Sequence, residues 1–182
     1  MIDNVLNYYR DQAYRNARMK GFFADNQPDA AYVVAIHEEL SEAFSDWNKH
    51  KGWIQIEPKP SGIYFELVDA VIRILSYCGY KGLELHEVEI ETDRPYLESD
   101  LCDMIAKCHI DLGQYYELLN LDARDEFEEQ LQISCMENLL SNCIARIEDF
   151  ICETSDLDLA SLINVKLEYN ATREIKHGGN EV

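Results

Sequence analysis

The sequence predicts an all-α helical bundle built as a single domain, residues 1–182. Apolar side chains recur at steps of three and four residues along most of the chain, which is the period of an α-helix. The composition, 47% hydrophobic and 28% charged, is that of a globular protein. Two segments alternate like strands, "WIQIE" and "LELHEVEIE". Both are short and neither has a strand to pair with, so we expect loops there.

Six segments carry the helical pattern, and prolines mark some of their limits. Pro28 precedes the second helix, because proline disfavours helical geometry in the residue before it. Pro58 and Pro60 interrupt the chain between the second and third helices. The predicted helices span residues 2–19, 29–49, 61–79, 96–120, 123–153 and 156–175.

The charge of the chain limits the partners that it can bind. The net charge is −19. Residues 84–158 contain 21 acidic and 4 basic side chains, a net of −17, so the two flanks are nearly neutral. Duplex nucleic acids and anionic membranes require a basic surface, and neither is an expected partner.

The ends of the chain and its cysteines favour a cytoplasmic location. The first residues lack the basic start and apolar run of a signal peptide, and no uninterrupted apolar stretch is long enough for a transmembrane helix. The six cysteines form no CxxC pair and have no histidine at zinc-ligand spacing. We therefore expect them to be reduced, small buried residues.

Two pairs of acidic residues are notable for the helices that carry them. Glu39 and Glu42 are three residues apart and share a face of the second predicted helix. Glu66 and Asp69 have the same spacing in the third, which apart from these two and Arg73 is almost wholly apolar. Either pair alone is more simply a solvent-exposed face. A helix that is apolar nearly all round is buried, however, so its polar line must face the interior.

Converging carboxylates need a compensating charge. At about 5 Å each pair repels by about 3 kcal/mol at an effective dielectric near 20. Mg²⁺ prefers carboxylates and phosphate oxygens and is the predicted ion, with Mn²⁺ as a substitute. A di-iron bundle needs Glu-xx-His pairs on two helices, which the sequence does not supply, and zinc favours softer ligands. His37 faces away from Glu39 and is assigned a structural role.

The C-terminal segment offers a candidate phosphate site. Lys166, Asn170, Arg173 and His177 follow one another at steps of four, three and four along one face of the last predicted helix. Two cations, an amide and an imidazole suit phosphate oxygens, and an arginine can bind them bidentately. The simpler alternative is that basic residues near a helix C-terminus favour the helix dipole, with Gly178 as a stop.

Three motifs together resemble the MazG-like, all-α nucleoside triphosphate pyrophosphohydrolases, the superfamily that includes the dimeric dUTPases. They are "EELSE" (38–42), "ELVD" (66–69) and "KLEYNATREIKHGG" (166–179). The first two are similar to that family's EExxE and ExxD motifs, and the resemblance covers roughly residues 29–80 and 156–179. It implies cleavage of a nucleoside triphosphate between its α and β phosphates, giving a monophosphate and pyrophosphate, in a protein that forms a homo-oligomer, expected to be a dimer.

The resemblance also implies residue roles. It makes Glu39, Glu42, Glu66 and Asp69 the Mg²⁺ ligands, and Glu38 and Glu39 the catalytic residues, with Glu38 binding a further ion or orienting the attacking water. Lys166, Asn170 and Arg173 would hold the triphosphate. Trp47 and Trp53 are the candidates to stack on the base, although tryptophan is more often a core residue.

One feature departs from the family pattern: the acidic segment 84–155 separates the metal motifs (29–80) from the C-terminal motif (156–179). We expect residues 96–153 to form a second helical pair that completes the bundle, either as an insertion or as a degenerate repeat. "EFEE" (126–129) repeats the Glu-xx-Glu spacing, but no matching ExxD follows.

Two other functions fit the same residues. One is a non-catalytic bundle that binds a nucleotide or a protein and keeps a vestigial metal site. The other is a Mg²⁺-dependent phosphohydrolase acting on a different diphosphate-containing substrate.

Overall fold

The computed structural model describes residues 3–25 and 27–173. Within these ranges it contains six α-helices and no strand, which confirms the predicted all-α class. The helices are α1 (Asp3–Met19), α2 (Asp29–Asn48), α3 (Ile63–Lys81), α4 (Leu101–Leu119), α5 (Glu126–Thr154) and α6 (Leu159–Thr172). Their limits lie within a few residues of the predicted ones, except that α4 begins after a short 3-10 turn, Glu98–Asp100.

The core is organised around α3. Twelve of its side chains are buried, and it packs against α1, α2, α5 and α6. The second helical pair, α4 and α5, forms a hairpin in which α4 packs on α2 and α5 packs on α3. All six helices contribute to one continuous cluster of buried apolar residues. The predicted pair over residues 96–153 therefore adds to the core of α2 and α3 rather than forming a separate one.

Local signals position the helix ends. The Asp125 carboxylate accepts a hydrogen bond from the Glu128 amide at 2.9 Å and begins α5, and Asp158 does the same for α6. Gly62 precedes α3 with φ 105°, a conformation that other residues rarely adopt. A β-carbon there would lie 2.8 Å from the Gly52 carbonyl oxygen, so the loop between α2 and α3 folds tightly against the start of α3.

Residues 83–97, which contain the segment "LELHEVEIE" expected to be a loop, form neither helix nor strand. Side chains of neighbouring helices hold it in place. Asn7 exchanges two hydrogen bonds of 3.0 Å with the backbone of Leu85, and the His86 amide donates to Ser141 at 3.1 Å. The loop thereby connects α3 to α4 across the surface of α1 and α5.

The expectation that the cysteines are buried holds only for half of them. Cys78, Cys108 and Cys143 are buried, whereas Cys102, Cys135 and Cys152 are exposed, and no disulfide links any of them. None of the described helices combines the length and apolarity that crossing a membrane requires.

Two helix-interior glycines give a matched test of the α1–α3 contact. A β-carbon on Gly79 of α3 would lie 2.6 Å from the Tyr14 β-carbon on α1, whereas one on Gly113 of α4 would meet open space. Gly79→Ala should therefore lower the free energy of unfolding by about 1–3 kcal/mol, because the helices must separate. Gly113→Ala should raise it by about 0.5–1 kcal/mol, through helix propensity alone. Urea denaturation measures both, and equal effects would contradict the close α1–α3 packing.

Candidate metal centre

The packing of α2 against α3 brings three predicted metal ligands together. Carboxylate oxygens of Glu39, Glu42 and Glu66 all lie within 4.8 Å of one another. Glu39 is buried, Glu66 is half-buried and Glu42 is exposed, so the group runs from the helix interface out to solvent. An oxygen-only donor set with one open side suits a hard divalent ion that also binds a ligand.

Asp69, the fourth predicted ligand, lies outside that group of three. Its Oδ2 is 2.5 Å from the Nζ of Lys166 on α6, a residue predicted to bind phosphate. The Lys166 side chain is only 6% exposed, and its ammonium also lies over the Phe65 ring, 5.6 Å from the centroid. The structure thus joins a predicted metal ligand to a predicted phosphate ligand across 97 residues of sequence.

A second ion pair crosses the α2–α3 interface. Arg73 Nε lies 2.5 Å from Glu39 Oε1, one turn along α3 from Asp69. Arg73 is 30% exposed and the Glu39 side chain is 11% exposed, so the contact is shielded from bulk water. The polar line predicted on α3 is therefore a row of ion-pairing and candidate ligand residues that faces α2 and α6.

Sequence reasoning missed two members of the site, Asp46 and Lys51. Asp46 is buried and lies 2.7 Å from Lys51 Nζ. It follows Glu42 by four residues and shares its helix face, a spacing that could have identified it. Lys51 lies in the loop after α2, where no periodic pattern marks it. Its pKa is raised by its hydrogen bond to Asp46 and by the charges of Asp46, Glu66 and Glu42.

The charges of the site do not balance. Three cations, Arg73, Lys51 and Lys166, each pair with one carboxylate. Glu42 and Glu66 have no ion pair in the part of the chain that the structure describes. The group has five carboxylates, those of Glu39, Glu42, Asp46, Glu66 and Asp69. When all are ionised, they and the three cations leave a net charge of −2, which one divalent cation would neutralise.

Burial and mutual repulsion raise the pKa values of these acids. Desolvation raises the pKa of Glu66 to about 7, and the neighbouring Asp69 charge adds to the effect. Desolvation likewise raises the pKa of Asp69 to about 6, although Lys166 opposes it. The pKa of Glu42 is raised by burial and by Glu39 and Glu38. At neutral pH the site therefore retains protons that a cation would displace.

The remaining acidic and aromatic candidates are Glu38, Trp47 and Trp53. Glu38 is exposed on α2, near enough to Glu42 to raise its pKa. Trp47 is half-buried, with its ring 6.2 Å from that of Phe44. Trp53 is half-buried on the core, with its ring 5.2 Å from Tyr64. Both tryptophans thus contact aromatic neighbours, and each keeps part of its surface open to solvent.

The C-terminal candidates are only partly brought to the site. Asn170 lies one turn beyond Lys166, and its Oδ1 is buried with no hydrogen-bond partner among residues 3–25 and 27–173. The Arg173 guanidinium lies over the Tyr169 ring, 5.9 Å from its centroid. His177 lies outside the described residues.

His37, assigned a structural role, lies on the side of α2 that meets α4. Its Nδ1 is 2.6 Å from the Nδ1 of His109, and the two rings stack with centroids 4.9 Å apart. Burial lowers the pKa of both imidazoles, and for His37 the charge of His109 lowers it further. The neutral forms that this favours can share one hydrogen bond between the two helices.

No family model, curated protein or solved structure matches this chain.

The raised pKa of Glu66 predicts a pH dependence of stability in metal-free protein. The folded state binds this proton more tightly than the unfolded chain does. The contribution of protonated Glu66 to the free energy of unfolding is therefore fully present below about pH 4.5 and is lost as the pH rises through about 7. The free energy of unfolding of Glu66→Gln, relative to that of the wild type, should therefore rise between pH 5 and pH 8. The rise should be only on the order of 1 kcal/mol, because solvent screens a half-buried carboxylate.

Urea denaturation of both proteins in chelator, across this pH range, measures the difference. Using the difference removes the titration of groups that the two proteins share, such as His37 and His109. A variant that instead loses stability relative to the wild type as the pH rises would contradict the raised pKa.

Proposed function

We propose that this protein is a Mg²⁺-dependent nucleoside triphosphate pyrophosphohydrolase, which hydrolyses a triphosphate to a nucleoside monophosphate and pyrophosphate. The observation that carries the proposal is the convergence of Glu39, Glu42 and Glu66 within 4.8 Å, in a site whose ionised groups sum to −2. The MazG-like motifs of the sequence give the reaction class.

The residues present fit a hard divalent ion. Glu39, Glu42 and Glu66 supply only carboxylate oxygens, and neither Glu42 nor Glu66 forms an ion pair with a cation of the described residues. These three residues would hold Mg²⁺, or Mn²⁺ in its place, and Asp69 would join them once Lys166 moves to substrate. A divalent ion held by these carboxylates would supply Lewis-acid chemistry, polarising the phosphate and lowering the pKa of the attacking water.

The chain's own side chains would carry the other parts of the reaction. Water attacks the α-phosphorus, the α–β anhydride bond breaks, and the electron pair leaves with pyrophosphate. Glu38, exposed on α2 and close enough to Glu42 to raise its pKa, would orient that water and accept its proton. Lys166 would exchange the Asp69 carboxylate for a phosphate oxygen, because both are anionic acceptors for the same ammonium.

Further contacts would bind and orient the triphosphate. Asn170, one turn from Lys166, has a buried amide oxygen, and its amide nitrogen would donate to phosphate. Arg173 would bind phosphate bidentately on leaving the Tyr169 ring. Lys51 is about half exposed, lies close enough to Glu66 and Glu42 for their charges to raise its pKa, and would offer a third cation beside Lys166 and Arg173. Trp47 and Trp53 each keep an accessible part of the ring and remain our candidates to stack on the base.

One observation favours the non-catalytic alternative. Asp69 and Glu39 are already neutralised by Lys166 and Arg73, so half of the predicted ligand set is satisfied without an ion. A bundle stabilised by these pairs needs no metal to fold, and it could bind a nucleotide or a protein without turning it over.

The test is product analysis after incubating the purified protein with each common nucleoside triphosphate and Mg²⁺. We expect monophosphate and pyrophosphate as the products, formed directly. Glu42→Gln and Glu66→Gln should each lower kcat by at least about 100-fold, because they remove ligands without breaking an ion pair. Glu129→Gln, a matched change at an exposed glutamate of α5, should leave the rate unchanged.

The products separate the alternatives. A diphosphate and inorganic phosphate would identify a different phosphohydrolase. Absence of turnover in folded wild-type protein, with every triphosphate and with Mn²⁺ as well as Mg²⁺, would overturn the catalytic proposal in favour of the binding bundle.

A further inference from the structure

Large apolar side chains are exposed together at one end of the molecule. We call residues 116–135, which comprise the end of α4, the turn and the first turns of α5, the hairpin tip. It contains five of the thirteen large hydrophobic residues that are exposed in the described ranges, although it spans only a small part of the chain. They are Tyr116, Leu121, Phe127, Leu131 and Ile133. Isolated exposed hydrophobics are ordinary, but a concentration of them indicates an interaction surface.

The hairpin tip projects beyond the core. The first buried residue of α5 is Met136, so the ten residues from Glu126 to Cys135, about 15 Å of helix, make no contribution to the buried core. Phe127 and Leu131 are 75% and 55% exposed and lie one turn apart on a common face. Helical rotation places that face opposite Met136, whose side chain enters the core. Phe127 and Leu131 therefore form an apolar stripe that no described part of the chain covers.

An open cleft lies beside this stripe. It has a volume of about 530 Å³ and lies between the turn and the first half of α5. Leu121 and Ile133 form its apolar walls, and Met136 contributes from the core. A cleft of this size accepts one or two large apolar side chains, and an exposed stripe with i, i+4 spacing matches the face of a helix.

The charge of the hairpin tip selects among possible occupants. It carries six acidic side chains, Glu117, Asp122, Asp125, Glu126, Glu128 and Glu129. Its single basic residue, Arg124, is already paired with Glu128, whose Oε2 accepts from Arg124 Nε at 2.9 Å. A second copy of the chain would bring the same negative charge to the surface and be repelled. A cationic partner would gain both apolar contact and charge complementarity.

We propose that the hairpin tip is a docking surface for a cationic amphipathic helix of another protein. Apolar side chains of that helix pack on Phe127 and Leu131 and enter the cleft beside Leu121, while its lysines and arginines pair with the surrounding carboxylates. This inference is independent of the proposed catalytic activity, since it uses no residue of the metal centre.

Fluorescence anisotropy with two synthetic peptides tests this surface. One is a labelled amphipathic helix of lysine and leucine, about 18 residues long. The other keeps its leucines and replaces each lysine by glutamate. The hairpin-tip variant is Leu121→Ser/Phe127→Ser/Leu131→Ser, which keeps every charge. The control variant is Val34→Ser/Ile56→Ser/Leu97→Ser, which removes three comparably exposed apolar side chains elsewhere.

We expect the lysine peptide to bind the wild type and the control variant equally. Its Kd should rise by about tenfold or more for the hairpin-tip variant, and the glutamate peptide should not bind. Equal binding to all three proteins would show attraction by net charge alone and overturn the proposal, as would absence of binding to the wild type. Wild-type self-association in sedimentation velocity that is lost in the hairpin-tip variant would identify a second copy as the occupant and would also overturn it.

Discussion

Two ion pairs on the most buried helix determine how the site is assembled. Arg73 and Asp69 of α3 reach outward to Glu39 of α2 and Lys166 of α6, each across 2.5 Å. Because all four side chains are at least partly withdrawn from water, removing one partner would leave a poorly solvated charge and cost about 3–5 kcal/mol. These pairs join α2 and α6 to α3 at the level of the acidic group, in addition to the apolar packing that the three helices share.

The same ion pairs determine which carboxylates of the site have no cationic partner. Glu39, Asp69 and Asp46 are paired with Arg73, Lys166 and Lys51, which leaves Glu42 and Glu66 as the site's carboxylates with no ion pair to a described cation. Their pKa values are raised because they are desolvated beside other acids. The fold thus tolerates two costly carboxylates at the exposed edge of a buried ion-pair network. Such a cost is typical of a functional site, where a ligand supplies the missing charge.

Much of the helical framework follows from local sequence, because most helices show a 3.6-residue apolar pattern, α3 is a long and almost wholly apolar run, and α2 has a proline before its first residue. The meeting of Glu39, Glu42 and Glu66 follows from the same reasoning, since helical periodicity puts Glu39 and Glu42 on one face of α2 and consecutive helices usually pack together, here across the loop of residues 49–62. The contact between Asp69 and Lys166 could not be derived this way. It joins two residues that are 97 positions apart in the sequence, and local periodicity carries no information about which distant helix lies against α3.

Other parts of the site escaped prediction for local reasons. Lys51 lies in an irregular loop whose path is set by tertiary contacts, including the close approach of Gly62 to Gly52. The exposed cysteines show that a residue type with a strong preference for the interior still follows the face on which it falls. Trp47 of α2 and Trp53 of the loop after it could be assigned neither to core nor to ligand from sequence, and these half-buried tryptophans pack on the core while remaining accessible.

The most direct test of the metal centre is isothermal titration calorimetry with Mg²⁺ at pH 7, in buffers that differ in ionisation enthalpy. We expect one saturable site per chain that releases protons on binding, because the ion displaces the proton held by Glu66. Binding should be lost in Glu66→Gln and retained in Glu129→Gln. Absence of saturable binding to the wild type, or unchanged binding by Glu66→Gln, would contradict the assignment of these carboxylates to a divalent cation.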